Sequence, residues 1–305
     1  MFNQSHAVPN GWLAFELNVL RRVEFASVML PFAGQPHLGA YLKRRNVRVL
    51  TNDVSQSAWT KAVAAIQNNN EILSAADVDL ILEDAYVPRY RLQNESLRRR
   101  LNETDAWWFD NVRRNIEQLS SPVARAVALG LGMQVGDYAA SFTYETLELR
   151  QPFSKVYQRL WSVLPKPFDN GQKNTCFNKP TNEFIAESFT DLMFLRLPPP
   201  QLRSHSGKYG STALSEEWIR GDDGFWDNLP VSGTAVETKA QYLQLVEEIL
   251  QSASNIPAWA VAHVENGFVN TQELVEIVGR IRRVDTIYSK DFSELTGMKA
   301  VIIVA

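Results

Sequence analysis

The sequence predicts an α/β fold, a mixed sheet whose chain leaves for a long helical insertion and then returns to finish the sheet. Three observations lead there. A strand, turn, helix and second strand fill a stretch of roughly 30 residues near the start, the size of a βαβ unit. Strand signals then thin out from about 55 to 170, where apolar residues recur at helical spacing. Strand patterns resume after 170 and close in what reads as an antiparallel pair.

Residues 12–22 open with a helical stripe made by Trp12, Phe15, Leu17, Val19 and Leu20. Residues 25–30 form a continuous apolar run, the pattern of a buried strand, and pass into a turn over 31–34. A helix over 37–45 and a second strand over 47–50 follow, ending at Asn52 and Asp53. Helices are predicted over 58–66, 72–82, 95–101, 107–119 and 123–131. The loop 165–171, rich in Pro, Asn and Gly, punctuates the end of this block. Residues 191–197 read as a central strand, stopped by Pro198, Pro199 and Pro200, which have no N–H to continue a ladder. A Gly/Ser loop over 206–211, a helix over 239–252, a strand over 259–264 and a helix over 271–281 come next. Strands over 283–288 and 300–304 complete the pattern. The division predicted is a sheet domain from 1–54 and 171–305, with a helical insertion at 55–170.

A chain of 305 residues, 45% hydrophobic and 21% charged, suits one sizeable domain carrying such an insertion. Its apolar runs fall far short of the ~18 residues of a membrane helix. The N-terminal residues lack the basic-then-apolar layout of a signal peptide. The single cysteine, Cys176, allows no intramolecular disulfide and no cysteine metal cluster. A cytoplasmic protein is expected. No metal site is predicted either. His6, His37, His205 and His263 are scattered, and Asp222, Asp223 and Asp227 read as an acidic turn with Gly221 and Gly224. Neither a G-x-S-x-G elbow nor a phosphate-binding G-K-S/T loop is present.

The net charge of −3 argues against general attraction to a polyanion, but the local balance differs. Arg89, Arg91, Arg98, Arg99, Arg100, Arg113 and Arg114 crowd one segment beside Tyr86, Tyr90, Trp107 and Trp108. One reading is a nucleic-acid face carried by Arg98, Arg99, Arg113, Arg114, Trp107 and Trp108. The other is a solvated helix face with ion pairs to Glu95, Glu103 and Asp105. Trp107 and Trp108 favour the first, because adjacent helix positions do not comfortably both point inward.

Two segments carry a chemical pattern. In residues 29–53, a tight turn at Phe32, Ala33 and Gly34 follows a buried strand and lets backbone N–H groups approach a cofactor. Asp53, at the end of the next strand, is placed to accept hydrogen bonds from a ribose diol. In residues 176–201, Phe177, Asn178, Glu183, Phe184, Ile185, Asp191 and Leu192 lead into a strand that ends at Leu197-Pro198-Pro199-Pro200.

On these residues the chain resembles the Dam-type adenine-specific DNA methyltransferases. Their cofactor loop has the form F-x-G-x-G, followed by a helix and an N-D pair, and Phe32, Gly34, Asn52 and Asp53 match it. Pro36 stands where the second glycine belongs. In the second segment the family places an N-or-D-P-P-Y motif, and Leu197-Pro198-Pro199-Pro200 occupies that position. The tail over 287–305 is similar to the family's final hairpin, and Glu265-Asn266-Gly267-Phe268 takes the place of its polar stop. Residues 1–28 contain no G-G-K run of the kind with which the family opens.

The resemblance implies a Rossmann-like methyltransferase sheet, S-adenosylmethionine as cofactor and DNA as partner, with 55–170 in the place of the family's recognition region. It implies methyl transfer to the adenine amino group, with Phe32, Ala33, Gly34 and Asp53 at the cofactor and 197–200 at the base. The family's acid or amide orients the target nitrogen and its tyrosine stacks on the flipped base. Leucine and proline do neither. The alternative is therefore a catalytically silent homologue that binds DNA or a protein partner.

Overall fold

The computed structural model describes residues 11–197, 201–202, 211–224, 235–236, 238–265, 268–292 and 298–305. The chain divides into two compact units. The first comprises Met1–Val54, Asn170–His205 and Leu229–Ala305, and the second Ser55–Asp169 and Ser206–Asn228.

The first unit is built on a seven-stranded sheet. Its strands are β1 (Ser27–Leu30), β2 (Arg48–Asn52), β3 (Thr175–Phe177), β4 (Leu192–Arg196), β7 (Ala258–Glu265), β8 (Thr286–Asp291) and β9 (Lys299–Val304). The spatial order is β3-β2-β1-β4-β7-β9-β8. The five strands from β3 to β7 are parallel, and β9 runs antiparallel between β7 and β8. A separate parallel pair joins β5 (Gln201–Leu202) to β6 (Ala235–Val236). Strands β1 and β4 are buried through their length but for Arg196, because parallel strands covered on both faces need continuous apolar runs. Strand β8 is an exposed edge, and Lys290 and Asp291 at its end suit a strand with one free side. This is an α/β sheet of the Rossmann-like methyltransferase type.

Helices α1 (Trp12–Leu20), α2 (His37–Arg44), α8 (Thr181–Glu187), α10 (Lys239–Ser252) and α11 (Thr271–Ile281) accompany the sheet. One core forms where Met29, Met193, Leu195, Trp259, Val261, Val301 and Ile303 meet Phe184, Val246, Ile249, Leu250, Leu274 and Val278. Helix α11 starts at Asn270, whose side chain accepts from the Glu273 N–H while Glu273 reaches back to the Asn270 N–H, a reciprocal cap.

The second unit is helical. It contains α3 (Gln56–Ala62), which runs on as a π turn over Val63–Gln67, then α4 (Ala75–Leu82), α5 (Glu103–Ile116), α6 (Pro122–Ala140), α7 (Phe153–Ser162) and α9 (Ser211–Arg220). Trp108, Phe109, Phe153 and Trp218 pack edge to face at its centre, with ring centroids 4.9 to 5.5 Å apart for Trp108–Phe109, Trp108–Phe153 and Phe109–Trp218.

The structure corrects the sequence reading in several places. Helix α9 was not foreseen, and it belongs to the helical unit although residues 171–305 were all assigned to the sheet. Its anchors are specific: Trp218 donates to the Phe109 carbonyl at 2.7 Å, and its ring lies over Gly132 of α6. The expected helix over 123–131 continues to Ala140, and α7 and β3 were missed. Residues 95–101 hold only a 3₁₀ turn, Glu95–Arg99. The Gly/Ser loop expected at 206–211 lies, save for Ser211, outside the described residues, as do Asn266 and Gly267.

Candidate functional site

The order of the strands reverses direction at β1, which has β2 on one side and β4 on the other. In open α/β sheets the crevice beyond the carboxyl ends of such strands is where ligands bind. The two segments singled out in the sequence both fall at this end, one after β1 and one after β4, and the two strands pair in register at Met29 and Met193.

The loop after β1 is tied to the ends of β2 and β3. The Ala33 N–H donates to the Asn52 carbonyl at 2.8 Å, and the Gly34 N–H donates to Asp53 Oδ2 at 2.9 Å. Asn52, fully buried, donates to the Lys179 carbonyl at 3.0 Å and accepts from the Lys179 N–H at 3.1 Å. Asn178 Nδ2 donates to the Asp53 carbonyl at 2.6 Å. The N-D pair and the F-N pair of the sequence therefore join one frame. Gly34 has φ +50°, a conformation glycine adopts at little cost, and a Cβ placed there would meet nothing within 4 Å. That face of the loop is open. Ala33 is buried in the frame and Phe32 is half-buried beside the core. Pro36 sits at the entry to α2, where its carbonyl accepts from Ala40. Proline contributes no N–H at a place where the family pattern has glycine.

The end of β4 is occupied differently. Arg196 forms a two-pronged ion pair with Glu16 of α1, at 2.8 Å from Nε and 2.7 Å from Nη2, and Glu16 is wholly buried. The Trp12 indole N–H also donates to Glu16. Arg196 is thus committed to the scaffold. Leu197 donates its N–H to the Ala262 carbonyl at 3.0 Å and packs against the apolar core. Pro198, Pro199 and Pro200 lie outside the described residues. Asp191, the nearest acid in the chain before residue 197, stands at the opposite end of β4. It accepts from the Ser27 hydroxyl and from the Ala26 and Ser27 N–H groups, and the Ser27 hydroxyl above all holds its carboxyl below the usual value. Sequence reasoning missed Glu16, for which an isolated acid in an apolar helical stripe was the available signal.

The basic segment is corrected most. Trp107 and Trp108 are both buried, at 4% and 0% exposure, so neither ring is available to stack on a base. Helix α5 has almost no solvent side along 105–112, where every residue is buried. Four of the proposed contact arginines are paired within the unit: Arg98 with Glu95, Arg99 with Asp223, Arg113 with Glu117 and Arg114 with Asp110. Arg113 also donates to the Ile219 carbonyl. The same segment does leave one aromatic outside. Tyr90 is fully exposed, between Arg89 and Arg91.

No protein-family model matches the chain. Over 310 aligned residues it is 22% identical to the Type II methyltransferase M2.HphI of Haemophilus parahaemolyticus, spanning 90% of this chain and 87% of that protein. Among the described residues, no helix is long and apolar enough to cross a membrane.

Proposed function

We propose that this protein is a homologue of the adenine-specific DNA methyltransferases that binds S-adenosylmethionine at the ends of β1 and β2 and takes DNA as its partner. The observation that supports this best is the joint placement of the 31–34 loop, Asn52-Asp53 and the end of β4 at one reversal of strand order. Similarity to a Type II methyltransferase along most of both chains agrees with it. The residues fit the cofactor at its nucleoside end. Asp53 offers a carboxylate to a ribose diol, and the open face of Gly34 lets the backbone come close. Bound there, the cofactor supplies an activated methyl group. Phe32 and Ala33 shape the loop that would hold it, and Pro36 narrows its donor set.

Transfer to an adenine amino group needs a hydrogen-bond acceptor beside the base to orient the nitrogen lone pair. Leu197 supplies none from its side chain, and Arg196 is held by Glu16. These two observations favour a second reading, in which the cofactor-type scaffold is retained for binding DNA or a protein while transfer is lost. Calorimetric titration with S-adenosylmethionine tests the first step. Micromolar binding supports the Asp53 site, and a methylation assay on adenine-containing DNA then separates the readings: labelled product supports the enzyme, its absence the silent homologue. No heat at high cofactor concentration overturns the cofactor site.

A further inference from the structure

We infer that the loop carrying Arg89, Tyr90 and Arg91 is a preformed DNA-contacting tip of the helical unit, with the Tyr90 ring stacking on a base and the flanking guanidinium groups meeting phosphate. The inference rests on the reading of DNA as the partner. It begins from exposure. Tyr90 is 102% exposed, against 43% for Phe168 of the same unit, while Trp107, Trp108, Phe109, Phe153, Tyr157 and Trp218 are buried. Val87, three residues before it, is half exposed as well.

The loop's shoulders, by contrast, are fixed. Asn111 of α5, fully buried, donates to the carbonyls of Asp84, Ala85 and Val87 at 3.2, 3.2 and 2.9 Å. Its Oδ1 accepts from Arg89 Nε at 2.9 Å. One turn away, Asn115 donates to the carbonyls of Ile81 and Glu83 at 3.1 and 2.8 Å. On the far side, Asp110 accepts from the N–H groups of Gln93 and Asn94, and Leu92 is buried in the core. Three neighbouring polar side chains of one buried helix are thus spent on holding a loop. A loop ordered before binding loses little entropy when a partner arrives.

Charge then selects the partner. Glu95 is occupied by Arg98, and Asp110 by two amides and Arg114. Glu83 and Asp84, exposed, stand at the start of the loop, ahead of the tip. The bond Arg89 makes is to a neutral amide, and exposed Arg91 pairs with no carboxylate among the described residues. The tip therefore presents a bare aromatic face between two cations. Unstacked bases and phosphates complement that combination, since every unstacked base has a free π face and every phosphate accepts from a guanidinium.

The test is fluorescence anisotropy of a short labelled DNA duplex carrying one unpaired base against the full chain over a range of salt. Tyr90→Ala should weaken binding about five- to hundred-fold, and Tyr90→Phe, which keeps the stacking face, should not. Arg91→Gln should lower the slope of log affinity against log salt by about one. Arg98→Gln, whose partner is Glu95, should leave that slope unchanged. Because Tyr90 buries nothing, the circular-dichroism melt of Tyr90→Ala should match that of the wild type. Equal binding by wild type and Tyr90→Ala overturns the tip while leaving DNA as the partner. A wild type that binds no duplex even at low salt overturns the DNA reading and the tip together.

Discussion

Removing Glu216 tests whether the helical unit is assembled from two distant pieces of chain. Glu216 lies on α9, is 1% exposed, and reaches the start of α3. Its carboxylate accepts from the Ser55 hydroxyl at 2.7 Å, the Ser57 N–H at 2.9 Å, the Gln56 N–H at 2.9 Å and Arg220 Nε at 2.6 Å. Burial pushes its pKa up, but the bonds from Ser55, Ser57, Arg220 and Gln56 together outweigh burial and leave it lowered. Glu216→Ala strands two N–H groups of a helix start and an arginine partner at once. Truncating one partner of such a buried pair costs about 3–5 kcal/mol. Glu216→Gln keeps an acceptor but loses the charge, and should cost about 1–3 kcal/mol. The assay is urea unfolding followed by tryptophan fluorescence, since Trp218 lies two residues away in the unit's core. The sign with pH follows from the lowered value. The stabilisation is complete above the ordinary carboxylate range and is lost as pH falls through the folded-state value. The gap between wild type and Glu216→Gln should therefore narrow in acid. A Glu216→Ala variant within about 0.5 kcal/mol of wild type, the range of ordinary surface changes, would refute the docking of α9 on α3.

His263 on β7 is buried, with Nε2 lacking a partner among the described residues, and burial holds its pKa below the usual value against the pull of Glu265 and the backbone of Val269. The unfolded chain takes the proton first, so stability should fall as pH drops below about 6.5. His263→Leu should flatten that part of the melting-temperature profile, and an unchanged profile would show that another group is responsible. Gly132→Ala would drive a Cβ into the Trp218 ring, and Trp218 is pinned by its bond to Phe109. Although alanine gains about 1 kcal/mol in helix propensity, the net loss should be about 1–3 kcal/mol by denaturation, and a gain would mean that the ring sits elsewhere. Asp53→Asn should weaken S-adenosylmethionine at least about ten-fold by calorimetry, as loss of a charged acceptor implies, and unchanged affinity would remove Asp53 from the ribose.

Much of the sheet unit could be read from the chain because burial on two faces writes itself as an uninterrupted apolar run. Residues 25–30 and 191–197 did so, and the helices over 239–252 and 271–281 carried clear periodicity. Strand β3 has three residues, too few for a pattern, and was found only through its ladder with β2. Helix α5 defeated the amphipathic rule for a physical reason. Its whole circumference along 105–112 is covered, so its tryptophans both find the interior and its Asp110 and Asn111 are spent on backbone groups of a neighbouring loop. The polar residues Asp110 and Asn111 of this helix mark a loop that must be held. Helix α9 was illegible because its partners are over a hundred residues away: Glu216 closes on Ser55 and Trp218 on Phe109.

The two halves of the candidate site also differ in what each can lose. The loop after β1 is defined by backbone groups and by Asn52 and Asp53, each bonded to a neighbouring segment, so a change there disturbs the frame as well as any ligand. Position 197, just past β4, is under no such obligation. Its strand is continued by the Leu197 N–H to the Ala262 carbonyl, a bond that depends on no side chain, and Leu197 gains apolar contact from the core. An acid at 197 would have to give up that contact or be partly buried without a donor, at a cost of about 1–3 kcal/mol. Packing therefore favours leucine at this position, and only use as a base-orienting acceptor would favour the acid. An Asp53 frame beside an apolar residue 197 is the combination that the proposed silent-homologue reading expects.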